Sequence, residues 1–159
     1  MKRLTIIAIA WFVLAPVCKL FATLTLSVDV STVSIPFLTT NYNLSTGAAQ
    51  VIKTSAETLT IKSTTGTWTL SVRALTSTFS FIPSLGDPNP NKPAADLSVR
   101  APATSSAWLS LTTSDQVVST GPKSSNNQTR TLDYRLNSNL SSDPPGTYTI
   151  SLIYTLTSP

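Results

Sequence analysis

Thr23-Leu24-Thr25-Leu26-Ser27-Val28-Asp29-Val30 alternates without a break, with Leu24, Leu26, Val28 and Val30 on one side and hydroxyl or acidic side chains on the other. A period of two is the mark of a strand with one buried face. The pattern returns at Leu59 and Ile61, and again through Trp68, Leu70 and Val72, where Thr69, Ser71 and Arg73 would face water. Ser63-Thr64-Thr65-Gly66 between these two segments reads as a hairpin connection. Phe79–Ile82, Trp108–Leu111, Gln116–Ser119, Thr131–Leu136 and Thr147–Leu156 are further strand candidates. No segment joins helical periodicity to helix caps, so little helix is expected.

Proline and glycine gather where strands should stop. The strongest breaker is Ser84 to Pro93, followed by Gly121 to Gln128 and Asp143-Pro144-Pro145-Gly146, while Ser31 to Ala49 shows little regular alternation. Serine and threonine supply 48 of the 137 residues from Thr23 onward and charged residues only 15, yet apolar alternation runs through most of that length, which argues against a disordered stalk. Seven or more strands with turns at this spacing predict an all-β fold: a single antiparallel β-sandwich of Ig-like, Greek-key type over residues 23–159, with the Pro-rich segment at about 84–93 as a long surface loop.

The first 22 residues are of a different kind. Lys2 and Arg3 precede an apolar run from Leu4 to Val17, and Ala22 offers a small side chain before Thr23, the three parts of a secretory signal peptide cleaved after Ala22. Lys19 interrupts the run short of the roughly 20 residues a membrane-spanning helix needs. Cys18 follows Val17 and Pro16, a poor match to a lipoprotein cut site, which has a small residue before its cysteine. Removal of this segment takes away the sole cysteine, so the exported chain would have no disulfide and no thiolate metal site. It also takes Lys2, Arg3 and Lys19, leaving 8 basic against 7 acidic residues. Nucleic-acid binding then has no charge support, and the expected localisation is secreted or in the cell envelope.

The chain contains no histidine, which removes the commonest general base and metal ligand together and excludes Ser-His-Asp and Cys-His chemistry. Asp29, Glu57, Asp133 and Asp143 read as solvated or turn-forming acids, and Asp87 and Asp96 at the Pro-rich loop are too sparse for a calcium cage. Neither a catalytic residue nor a metal or cofactor site is expected. Three Asn-x-Ser/Thr matches, beginning at Asn43, Asn127 and Asn139, are what chance gives in so Ser/Thr-rich a chain. Tyr134 shares a face with Leu132 and Leu136, so its ring should be buried and its hydroxyl should find a partner, fastening a long connection near a sheet corner.

Trp68-Thr69-Leu70 reads W-x-L, and Pro145-Gly146-Thr147-Tyr148 opens a C-terminal strand that carries Tyr154-Thr155-Leu156. These segments resemble the two motifs of WxL-domain proteins, secreted bacterial β-domains associated with the cell wall, except that Tyr154 stands where the second tryptophan belongs. The resemblance implies a wall- or polysaccharide-binding module, with Trp68 and Tyr154 as candidate glycan contacts; core packing is the competing role for Trp68, and Trp108, read apart from the resemblance from its Ser/Thr-rich setting, is the better candidate for stacking on a sugar. The alternative is a structural subunit of a pilus or surface layer in which Leu24, Leu26, Val28 and Val30 form a strand that completes the sheet of a second copy. The expected partners are thus a wall polymer or surface glycan, or copies of the chain or related surface proteins, with no nucleic acid and no stable membrane span.

Overall fold

The computed structural model describes residues 23–28, 32–37, 43 and 48–159; the expected signal segment, Asp29 and Val30 lie outside the described residues. Ten strands follow in chain order: β1 (Leu24–Val28), β2 (Thr32–Phe37), β3 (Ala48–Ser63), β4 (Trp68–Ala74), β5 (Ser80–Pro83), β6 (Leu97–Arg100), β7 (Leu109–Ser110), β8 (Gln116–Gly121), β9 (Ser124–Asn139) and β10 (Gly146–Thr157). A 3-10 turn at Ala94–Asp96 precedes β6. The fold is all-β, as expected. One antiparallel sheet has the order β1-β3-β9-β6-β7, and the other has β2-β10-β4-β8 with β5 also paired to β10.

Alternation sets which residues meet between the sheets. Leu59, Ile61, Leu132, Leu136, Leu97 and Val99 point inward from the first sheet, and Trp68, Leu70, Val72, Tyr148, Ile150 and Leu152 from the second, giving one hydrophobic core. Burial of such side chains contributes about 1.5–3 kcal/mol each.

Three readings of the connections change. Ser63–Gly66 is not a hairpin, because β3 pairs with β1 and β9 whereas β4 pairs with β10 and β8, so the chain crosses from one sheet to the other there. The crossing is held by Ser63 Oγ donating to the Gly66 carbonyl at 2.8 Å, by Thr23 N donating to Thr64 Oγ1 at 2.8 Å and by Ser158 Oγ donating to the Thr67 carbonyl at 2.8 Å. The Gly121–Gln128 breaker shrinks to Pro122 and Lys123, since β9 begins at Ser124. Within Ser31–Ala49 lies β2, which pairs with β10 from Thr32↔Ser151 to Phe37↔Gly146. Pro36 is tolerated there because β2 ends its sheet, where a missing amide donor costs no ladder bond.

Three acids expected in solvent are buried: Glu57 is 1 % exposed, Asp133 3 % and Asp143 7 %. Each has a specific reason. Glu57 is in phase with Leu59 and Ile61 and follows an irregularity in β3 between Lys53 and Glu57, where Ser55 has φ 48°. Its Oε2 accepts the Tyr134 hydroxyl at 2.7 Å and the Tyr154 hydroxyl, and the two hydroxyls are themselves 2.6 Å apart. Tyr134 is therefore buried and hydrogen-bonded as expected, but it ties β9 to β3 and, through Tyr154 of β10, to the opposite sheet rather than to a connection. The tyrosine that fastens a connection is Tyr148, whose hydroxyl donates to the Pro144 carbonyl at 2.8 Å. Replacing Tyr134 with Phe is expected to lower the urea midpoint by the equivalent of about 1–3 kcal/mol, since a buried carboxylate loses a donor; an unchanged midpoint would sink the role assigned to this hydroxyl.

Asp143 lies in the β9–β10 connection and reaches back to the Pro-rich loop. Its Oδ2 accepts Lys92 Nζ at 2.7 Å, Ser138 Oγ at 3.1 Å and Asn139 N at 3.0 Å. Lys92 Nζ also lies 2.7 Å from Asp96 Oδ2. The Pro-rich loop is at the surface as expected, apart from Lys92, which is 1 % exposed.

Candidate functional site

The outer face of the first sheet gathers charge around an aromatic ring. Leu97 and Val99 of β6 fill the core, so the intervening Ser98 and Arg100 stand on the opposite face. The β6–β7 register sets Val99 against Leu109, which brings Trp108, the next residue outward, beside Arg100. On the other flank of β6, Ser98 faces Arg135 and Arg100 faces Asp133. The result is an indole with two guanidinium groups over it, the Arg100 Cζ 4.5 Å and the Arg135 Cζ 4.7 Å from the ring centroid. A cation within about 6 Å of an indole centroid is attracted by the ring quadrupole.

The two arginines differ in how they are compensated. Arg100 Nε and Nη2 both lie 2.9 Å from Asp133 Oδ2, and the Asp133 Oδ1 accepts the Ser55 amide at 2.8 Å. Asp133 is thus on the outer face, as its phase requires, and is buried because these two partners close over it. Arg135 makes no ion pair among the described residues, and its Nε is buried without a hydrogen-bond partner. Beside the indole opens a cleft of about 150 Å³, lined by Val99, Arg100, Trp108 and Leu109 from the first sheet's side and Val117 and Val118 of β8 from the second.

The other two aromatic candidates are elsewhere. Trp68 is 1 % exposed and belongs to the core, where Gly121 of the neighbouring β8 gives its ring room and the Arg130 Cζ lies 5.1 Å from its centroid. Tyr154 turns its hydroxyl inward to Glu57 and Tyr134. Alternation in β4 and β10 aims both rings between the sheets, Trp68 buried and Tyr154 half-buried. Trp108 keeps the part-exposed position expected of it. Arg100 and Arg135 were not legible as members of this site, since they lie on different strands and only the β6–β9 register joins them.

The expected assembly strand is β1, which runs along the edge of its own sheet, with Leu24 opposite Ser63 and Leu26 opposite Ile61. Leu26 packs against the core and Leu24 is exposed; the Val28 side chain and all of Val30 lie outside what is described. The segment that follows β1, Ser31–Ala49, contains β2, which begins at Thr32 and is paired to the other sheet.

Among the described residues no cluster of three or more His, Cys, Asp or Glu side chains could hold a metal ion, and no helix is long and apolar enough to cross a membrane. No family model, curated protein or solved structure matches the chain.

Proposed function

We propose that this chain is a non-enzymatic, exported cell-surface protein that holds a wall polymer or other polysaccharide at the Trp108 cleft. The observation that carries this reading is the position of Trp108, an aromatic plate on an outer face beside a cleft between sheet edges. An aromatic ring bordering a cleft with polar groups suits a sugar, whose C–H surface can pack against the ring where it lines the cleft and whose hydroxyls can form hydrogen bonds. The cleft is smaller than the roughly 300–1,000 Å³ that encloses a free small molecule, which fits one unit of a polymer lying across the surface. Export is supported by the N-terminal pattern of Lys2, Arg3, the apolar run and Ala22. Kinship with WxL-domain proteins is part of the same proposal, supported by the adjacency of the two motif segments, with Leu70 of β4 opposite Leu156 of β10.

The test is co-sedimentation of the exported protein with purified cell-wall sacculi, alongside light scattering. The expected result is saturable pelleting of a monomer, with affinity lowered about tenfold or more by Trp108→Ala, a loss of about 1.4 kcal/mol, and an unchanged urea midpoint. Oligomers that dissociate when Leu24–Val28 is deleted, with no pelleting, would replace this reading by assembly through β1, whose place at a sheet edge favours that second role.

A further inference from the structure

We propose that the Trp108 cleft selects an acidic polysaccharide, one bearing carboxylate or phosphate groups, and that Arg135 is the residue that reads the negative charge. The inference rests on the polysaccharide reading of the same cleft and adds a ligand class to it.

The argument is a local balance of charge. Two guanidinium groups and one carboxylate meet at the indole. Asp133 is committed to Arg100 through both Nε and Nη2 and to the Ser55 amide, so its charge is spent on one arginine and on the irregular segment of β3. Arg135 is left with one unit of positive charge that no described acid neutralises. The remaining described acids have other positions: Glu57 bonds two tyrosines inside the core, Asp143 and Asp96 hold Lys92, Asp115 pairs with Arg73, and Asp87 belongs to the Pro-rich loop.

Its geometry favours recognition over a general attraction. The guanidinium lies over the Trp108 ring and its Nε is buried, so the group is fixed and the rest of its planar fork is the part left to meet a ligand. A guanidinium fork matches the two oxygens of a carboxylate or phosphate, and stacking on an aromatic face costs it little hydration. A sugar seated in the cleft beside Trp108 would bring an acidic substituent toward the guanidinium that covers the ring, whereas a neutral sugar would leave that cation unanswered. Among the described residues one cation at the Trp108 ring, Arg135, has no ion pair, which favours a sparsely charged glycan over a nucleic acid, whose binding needs several phosphate contacts.

The experiment measures binding of the exported protein, as wild type, Arg135→Gln, Arg135→Lys and Trp108→Ala, to polygalacturonate, to a poly(glycerol phosphate), to neutral dextran and to single-stranded DNA at two salt concentrations. Near-UV circular dichroism confirms that each variant is folded. The proposal expects at least one acidic polymer to bind tenfold or more tightly than dextran, with Arg135→Gln removing most of that advantage and Arg135→Lys restoring only part of it. Whichever acidic polymer binds tighter identifies the substituent as carboxylate or phosphate. Equal binding of dextran and the acidic polymers, lost in Trp108→Ala but kept in Arg135→Gln, would overturn charge selection and leave the polysaccharide reading standing. DNA bound as tightly as the acidic polymers would also overturn selection. No binding of any polymer would overturn both readings.

Discussion

Lys92→Met is expected to lower the free energy of unfolding by about 3–5 kcal/mol, the cost of leaving a buried charge without its counter-ion. Lys92 looks like an ordinary solvated lysine in a Pro-rich loop, yet it is 1 % exposed and its Nζ is 2.7 Å from carboxylate oxygens of both Asp96 and Asp143. The two acids are not equivalent. Asp96 is about a third exposed and can be hydrated when the ammonium is lost, whereas Asp143 is buried and holds the β9–β10 connection through Ser138 and Asn139. Most of the penalty should therefore fall on Asp143, and Asp96→Asn should cost at most about 1 kcal/mol, as for a pair open to water. The control is Lys123→Met, an exposed lysine between β8 and β9, for which a change within about 0.5 kcal/mol is expected. Urea titrations of the three variants decide the matter: a Lys92→Met loss no larger than that of Lys123→Met would show that the cluster is solvated and contributes little.

Strand alternation made the all-β fold legible, because Leu24 and Leu26, Leu59 and Ile61, Trp68 to Val72 and Thr147 to Leu156 each carry their own period of two. What alternation cannot say is which strand is the partner. Ser63–Gly66 looks the same locally whether the chain folds back into a hairpin or crosses to a second sheet, and the crossing is fixed by the pairing of β3 with β9, far along the chain. The missed strand β2 does alternate, but Pro36 weakens its signal except at an edge, the place it occupies. Strand β6 is only four residues long and directly follows the Pro-rich loop and its 3-10 turn.

The site shows the same division. Trp108 could be read as part-exposed from its neighbours, and Tyr134 as buried from Leu132 and Leu136. Glu57 could have been read as inward, since the Leu59 and Ile61 alternation carried back two positions includes it. Arg100 and Arg135 could not be joined, because the link runs through hydrogen-bond register across β6 and β9. Asp133 alternates with Leu132 and Tyr134 and so lies on the outer face, and it is Arg100 and the Ser55 amide that explain why it is buried there.

Trp68→Ala is expected to cost about 3–5 kcal/mol, the loss usual for a large aromatic removed from a packed core, and the more informative experiment couples it to Gly121. These two residues face each other in the β4–β8 register. A Cβ at Gly121 would overlap the six-membered ring of Trp68 and lie 2.7 Å from its Nε1, so glycine is required there for space rather than for an unusual backbone angle. Gly121→Ala alone should therefore destabilise by about 1–3 kcal/mol through overpacking, as β4 and β8 spread or the ring leaves its rotamer. Trp68→Leu makes a void in the place where that methyl would go. The double variant Trp68→Leu/Gly121→Ala should then be more stable than the sum of the two single losses predicts, with a coupling of about 0.5 kcal/mol or more. Additive losses would mean that the two side chains do not share this space, and that the buried indole is held by its contacts with the rest of the core and with Arg130 instead. The result also bears on the surface-binding role: if Trp68 serves the core alone, Trp68→Leu should leave polymer affinity unchanged at temperatures where the protein stays folded, while Trp108→Ala lowers it at the same stability.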